Sequence, residues 1–322
     1  MAANYNKAAI PSHESKIPVR ISCMKNHKLS TSSLSIITPL TLMAGKLDRL
    51  KSWLLKLEDY DFEAILVHDK RDEKTSLEVN DFLRSMANQN IQLIEGEYGS
   101  PGNARNAGIQ VANSEWICFW DSDDLPNLEN VRFLINAHHN SNVDCIVGSF
   151  NYINEVSGIE TLKSLGKNFQ IDLALNPGLW RFIFRKKSLS NLTFTSLLMG
   201  EDQVFLANYL KNDTKLVVRN ECIYNYFFGS VNHLTNQKKA LNESSLAAEA
   251  LLHIAKSNSN YVKKIVGVMI ANQILRALRY CTASRKLKVG RIFLSALLFK
   301  KKEFKFMILL GMYRAIRDKL NI

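Results

Sequence analysis

The sequence predicts an α/β domain, a mostly parallel sheet flanked by helices, carrying a C-terminal helical extension. Three observations lead there. Between residues 34 and 150, short apolar β-branched runs alternate with segments whose apolar residues recur at helical spacing, an order that requires crossover connections and parallel strands. The chain has 322 residues, enough to bury one large core and carry an appendage. Charge divides the same way. Residues 256–322 hold sixteen Lys and Arg against two acids, +14, whereas the whole chain is +12, which leaves −2 for residues 1–255.

The elements follow in order. Residues 1–33 are polar and aperiodic, the pattern of an N-terminal arm. Residues 34–38 form an apolar strand ended by Pro39, and Leu47, Leu50, Leu54 and Leu57 mark an amphipathic helix. Residues 64–68 are a second strand, 76–88 a helix and 91–94 a third strand. Gly99-Ser-Pro-Gly-Asn103 turns into a helix ending near Ala112. Residues 116–120 are a fourth strand that stops at Asp121-Ser-Asp-Asp124, and Pro126 suits the first turn of the next helix. Residues 143–150 are a fifth strand, after which the alternation blurs. A helix over 200–211 and strands over 215–218 and 222–227 are expected within a catalytic domain of residues 34–243. Residues 244–322 are helical and basic.

Several classes fall away. The five cysteines, Cys23, Cys118, Cys145, Cys222 and Cys281, are scattered, which argues against a disulfide framework or zinc knuckle and fits a reducing compartment. Residues 1–33 lack the apolar stretch of a secretory signal, and runs such as 265–271 and 292–299 are too short for a bilayer, which needs about eighteen apolar residues. A cytoplasmic protein is expected. Residues 99–108 lack the Gly-Lys-Ser/Thr ending of a phosphate loop, and no Gly-X-Ser-X-Gly elbow is present.

Chemistry concentrates at two places. Asp121, Asp123 and Asp124 follow a strand directly, where ligands of open α/β sheets bind. Crowded carboxylates repel one another without a cation, and a hard divalent ion takes one or two of them plus substrate phosphate oxygens. The same turn also reads as a helix cap by Asp123 or Asp124. The second place is Gly200-Glu201-Asp202 at a helix start, where a carboxylate can act as general base or simply as a cap.

Their order is more telling than either alone. Gly102-Asn-Ala-Arg-Asn-Ala-Gly108, then Ala112-Asn-Ser-Glu-Trp-Ile-Cys-Phe-Trp-Asp-Ser-Asp-Asp124, resembles the central signature of the family 2 glycosyltransferases. Ser35-Ile-Ile-Thr-Pro39, Ile65-Leu-Val-His-Asp69 and Gly200-Glu-Asp202 match the family's flanking motifs. The resemblance covers about residues 34–235 and implies a GT-A-like fold and inverting transfer from a nucleotide-sugar donor, UDP-linked by expectation. It implies Asp121 and Asp123 in nucleotide and metal binding, with Mn²⁺ or Mg²⁺ as the ion and Asp123 as its direct ligand. It places Thr38, Pro39, Asp69 and Arg105 beside the nucleotide, Asp202 as catalytic base with Glu201 supporting it, and Trp180 on the acceptor side, where a plain core aromatic is the equal alternative. The acceptor is expected to be a surface glycan or a lipid-linked saccharide.

This sequence departs from the family after the second strand, where His68-Asp69-Lys70-Arg71 stands in place of a double acid followed by Gly-Ser. Tyr224-Asn-Tyr-Phe-Phe-Gly-Ser230 lacks a following arginine; His233 either takes a diphosphate or metal contact or is structural. In the basic tail, Val262, Ile265, Val266, Met269, Ile270, Ile274, Leu275 and Leu278 form an apolar stripe. That pattern suits docking of residues 256–322 on the anionic inner leaflet of the plasma membrane, or packing on the catalytic core with a solvated basic face. Nucleic acid is not expected, since no recognition module accompanies the charge. Two other readings remain, a catalytically silent sugar-nucleotide-binding or scaffold protein and a pyrophosphorylase-like enzyme. The latter lacks its glycine-rich basic loop after Thr38.

Overall fold

The computed structural model describes residues 20–22, 33–86, 90–166, 169–210, 213–229, 243–257, 260–280, 282–297, 308–309 and 312–313. Among them, β2 (Leu34–Leu40) lies between β3 (Phe62–Asp69) and β5 (Trp116–Phe119), parallel to both. Outside β3 runs parallel β4 (Ile91–Gly96), and β1 (Arg20–Ser22) pairs antiparallel with it, so the expected arm adds an edge strand. On the other side, β9 (Phe182–Arg185) is antiparallel to both β5 and β7 (Cys145–Asn154). β10 (Leu216–Phe228) runs parallel to β7. The two-residue β6 (Leu125–Pro126) and β8 (Glu160–Lys163) complete ten strands. β2, β3, β4, β5, β7 and β10 therefore all point one way, and their carboxyl ends share one edge.

The crossovers are helical: α1 (Asp48–Leu54), α2 (Glu73–Ser85) and α3 (Pro101–Val111). Period-two side-chain alternation splits the core between the two faces of the sheet. Leu34, Ile36, Leu66 and Trp116 join one cluster with Leu50 and Trp53 of α1 and Val131 and Leu134 of α4 (Leu128–His138). Ile37, Val67, Ile117 and Phe119 join the other with Ala104 of α3 and Phe205 of α6 (Glu201–Tyr209).

Three expectations are corrected. β2 runs through Pro39 to Leu40. Ile37 accepts the Trp120 N–H, so Pro39, two residues on, directs its missing N–H toward a neighbour that has already ended, where Pro is tolerated. Pro126 is not helical: it pairs with Tyr224, and α4 starts behind Asn127, whose side chain accepts from the Asn130 N–H at 3.0 Å. The cap of that helix is thus Asn127, neither Asp123 nor Asp124. The two strands expected over 215–227 are one, interrupted by register shifts between Val218 and Tyr224.

The tail has two readings, and the structure bears on one stretch of it. After α5 (Phe169–Leu175), α7 (Ser244–Ser257), α8 (Asn260–Tyr280) and α9 (Ala283–Leu297) form the C-terminal helices. Ile265, Val266, Met269, Ile270 and Ile274 are buried in the cluster that holds Ile37 and Phe205. That part of the stripe packs on the catalytic core and offers nothing to a membrane; Leu278 at its end is 43% exposed. Lys300, Lys301, Lys302 and Lys305 lie outside the described residues.

Candidate active site

The acidic turn sits just past β5 and is tied down from three directions. The Asp121 N–H donates to the Tyr224 hydroxyl at 3.0 Å, and Asp124 Oδ1 accepts the Phe227 N–H at 2.8 Å, both from β10. The Asp123 carbonyl accepts from Arg49 Nη1 at 2.8 Å, and that guanidinium lies 3.7 Å over the Phe227 ring. Asp124 is 1% exposed. Its burial, and then the charges of Asp123 and Asp121, push its carboxyl well above the usual range. It works as a strut, whereas the Asp121 side chain, 37% exposed, reaches solvent.

Arg105 links this turn to the second acidic site. Buried on α3, it donates to Asp121 Oδ1 at 3.0 Å and to Glu201 Oε1 at 2.8 Å. The signature around it has local causes. Ser100 caps α3 by accepting the Asn103 N–H, and Pro101 opens the helix where its missing N–H costs nothing. A Cβ on Gly102 would lie 2.2 Å from the Thr195 carbonyl oxygen, and one on Gly108 2.4 Å from Ile37 Cγ2. Asn106 accepts the Phe194 N–H and donates to its carbonyl. These close approaches bring α3 deep enough for Arg105 to reach both acids.

Asp202 stands in the first turn of α6, behind Gly200 at φ +82°, a left-handed conformation that suits glycine. Burial, followed by the neighbouring charge of Glu201, raises its carboxyl to about 7. It can therefore exchange a proton near neutrality, as a general base must. Glu201 turns inward to Arg105, so it braces the array and stays largely out of solvent.

At the other end, Asp69 closes β3. Its carboxylate accepts from the Arg71 backbone N–H at 3.3 Å, Arg71 Nε at 2.7 Å, Arg71 Nη2, and the Gly99 N–H at 2.8 Å. Hydrogen bonding from Arg71 holds it down at about 2. Thr38 is fully buried, and its hydroxyl has no hydrogen-bond partner among the described residues. The same holds for the Tyr98 hydroxyl, raised to about 12 by burial and then by Asp69 and Glu95. Tyr98 escaped the sequence reading, which named Tyr224 only as the start of a motif. The signal for Tyr98 was its place directly before the Gly99 turn.

Trp180 takes the core alternative of its two readings. It stacks on Tyr224 and Tyr226 at 4.8 and 5.3 Å and meets Phe150 edge-on, leaving 8% exposed. This is a core position behind the turn, and its ring face is taken by the tyrosines. His233 lies outside the described residues.

Among the described residues, no three His, Cys, Asp or Glu side chains cluster as a metal site. The oxygen donors of Asp121 and Asp123 still suit a hard divalent ion whose remaining positions are filled by diphosphate oxygens and water.

One buried cation thus joins the strand-end carboxylate Asp121 to the helix-start acid Glu201. The chain belongs to glycosyl transferase family 2, whose model matches residues 35–198, just over half of it. It is 29% identical over 210 residues to the poly(ribitol-phosphate) beta-glucosyltransferase of Bacillus spizizenii, covering 61% of this chain and 32% of that one. It spans, then, about a third of that relative's length. It is 23% identical over 228 residues to the poly(ribitol-phosphate) beta-N-acetylglucosaminyltransferase TarP of Staphylococcus aureus, covering 65% of this chain and 68% of TarP. In fold it is similar to S. aureus TarS 1–349 in complex with UDP-GlcNAc, with a TM-score of 0.58 at 18% identity over 88% of this chain and 81% of that one. It is likewise similar to the mannosyltransferase of Pyrobaculum calidifontis in complex with GDP-Man and Mn²⁺, with a TM-score of 0.53 at 12% identity over 90% and 87%.

Proposed function

We propose that the protein is an inverting glycosyltransferase that moves a sugar from a UDP-linked donor to a hydroxyl of a surface glycan. The observation that carries this reading is Arg105, which locks the donor-side Asp121 to the helix bearing Asp202. The two acids thereby keep a fixed separation, as a single in-line displacement needs. Asp202 takes the acceptor proton while the acceptor oxygen attacks the anomeric carbon. The bond from that carbon to the diphosphate oxygen breaks, and the configuration inverts. Asp69, at the carboxyl end of β3, marks the side where the nucleotide base belongs, and Thr38 and Tyr98 are buried residues of that half of the sheet. A divalent ion, Mn²⁺ or Mg²⁺, held by Asp123 and Asp121 would neutralise charge on the departing diphosphate. Two relatives are named for transfer to poly(ribitol phosphate), which makes a polyol-phosphate chain, free or lipid-linked, the first acceptor to try.

The direct test is release of UDP from UDP-glucose and UDP-GlcNAc with Mn²⁺ and poly(ribitol phosphate). Growth of the polymer's mass by one hexose or N-acetylhexosamine unit supports the reading. Binding of donor without release, across donors and acceptors, supports a silent sugar-nucleotide-binding protein instead. Asp123→Asn is expected to keep the fold and lose the metal-dependent part of UDP binding, measured by calorimetry with and without EDTA. Equal affinity in all four conditions would remove Asp123 from the metal site.

Attachment to the inner leaflet, in the cytoplasm, belongs to the same reading. No helix among the described residues is long and apolar enough to cross a membrane. α9, however, exposes Leu287 and Leu294 beside Lys286, Lys288 and Arg291. Binding to anionic liposomes is expected at low salt and should weaken as the Debye length shrinks to about 3 Å at 1 M. Failure to bind at low salt would confine α9 to a solvated surface role.

A further inference from the structure

The three residues ahead of the helix that carries Asp202 are gripped by the C-terminal helices. Glu243, whose carbonyl also receives the Ala247 N–H at the start of α7, accepts the Leu198 N–H on Oε2 at 2.5 Å. Arg276 of α8 donates to the Met199 sulfur at 3.0 Å. Gly200 lies so close to both helices that a Cβ there would sit 2.7 Å from Ala247 Cβ and 3.0 Å from Gln273 Nε2. Ala247 and Gln273 are themselves buried. Consecutive residues Leu198, Met199 and Gly200 are thus fixed by a hydrogen bond, a sulfur contact and close packing. Gly200 cannot yield easily, because its left-handed backbone turns the chain directly into Glu201 and Asp202. The family match stops at residue 198, so the grip is made by sequence outside it.

We propose that Glu243 and Arg276, together with the packing of Ala247 and Gln273 on Gly200, are positioning elements that set where the Asp202 carboxylate meets the acceptor hydroxyl. The inference rests on Asp202 being the general base. Proton transfer needs the base within hydrogen-bond reach of the attacking hydroxyl, so a small shift of residues 198–200 is felt in the chemical step. The proposed donor contacts come from residues at the ends of β2, β3 and β5, not from residues 198–200. The C-terminal helices are then part of the catalytic apparatus without touching substrate.

The test uses the full chain with whichever UDP-sugar and polyol-phosphate acceptor proves active. Glu243→Ala and Arg276→Met are expected to lower kcat about 10- to 100-fold, the scale of a catalytic group displaced by about 1 Å. Donor Kd should stay within about twofold of wild type, since an interaction absent from donor binding leaves that constant alone. Glu243→Gln keeps an oxygen for the Leu198 N–H and should restore most of the lost turnover, which a purely electrostatic role of the carboxylate would not allow. Unchanged kcat with a lowered melting temperature in Glu243→Ala would overturn the proposal, leaving Glu243 a structural cap. A parallel loss of kcat and donor-binding capacity, tracking the folded fraction, would overturn it as well. If Glu243→Ala does not fold, Arg276→Met, at a partly exposed position, decides alone by the same criteria. Asp202→Asn is measured alongside. Near-normal turnover in that variant removes the base assignment itself, whereas its inactivity beside fully active Glu243→Ala and Arg276→Met removes only the positioning role.

Discussion

Asp202→Asn is expected to bind donor normally and lose turnover about 10²–10⁴-fold, the scale of a missing acid–base group. Wild-type kcat/KM should climb as pH rises through about 7, the value to which burial and Glu201 raise Asp202, because only the ionised carboxylate accepts a proton. The same shift has a stability signature with a definite sign. The folded state holds the Asp202 proton more tightly than the unfolded chain, whose reference value is 3.8. Its contribution is therefore fully present below about pH 4 and is lost as pH rises through about 7. Asn carries no charge and escapes that loss. The variant should melt higher than wild type at about pH 8 and equally at about pH 4, a trade of activity for stability typical of a strained site. A folded variant with near-wild-type transfer would move the base elsewhere, and a lower melting temperature at the alkaline end would contradict the buried charge.

Arg105→Ala should produce the largest loss of stability of any single change at the site. It leaves Glu201 buried with its charge uncompensated and deprives Asp121 of its partner. Removing one member of a buried pair costs about 3–5 kcal/mol, because the desolvation of the survivor is no longer offset. For a chain of this size that corresponds to a fall of about 4–7 °C in Tm. Glu201→Gln in the Arg105→Ala background removes the stranded charge and should recover much of the fall, as a double-mutant cycle followed by calorimetry would report. Additive losses would mean that Arg105 and Glu201 act independently, contrary to their 2.8 Å contact. Arg105→Lys is not a rescue, since one ammonium lacks the planar fork that spans two acids.

The parts legible in the sequence are those written by local periodicity. Strand β3 and helix α3 announce themselves in a few residues each, and Asp121 and Asp202 stand where strand and helix signals end and begin. What stayed hidden is long-range. Nothing local in Phe182–Arg185 says that it enters between β5 and β7 in reverse. Pro126 carries a helix-start signal that lost to pairing with Tyr224, because β10 supplies hydrogen bonds that an isolated turn cannot. Arg105 meets Glu201 across 96 positions, a partnership no motif spacing specifies. Trp180 looks like a sugar platform in sequence, but the tyrosines two apart on β10 claim its ring. The tail's apolar stripe is the same pattern whether its partner is lipid or protein. Only the burial of α8 in the cluster that also holds Phe205 and Ile37 decides which.

That shared cluster has a thermodynamic consequence. Ile270 and Ile274 of the last third of the chain and Ile37 and Phe119 of the central strands bury one continuous apolar surface. Opening either side exposes the other, so neither has a separate free energy of unfolding to call its own. Catalytic sheet and C-terminal helices should therefore melt in one cooperative transition, with calorimetric and van't Hoff enthalpies in agreement. Amides of α8 should likewise exchange with solvent only through global opening, at the same rate as those of β2.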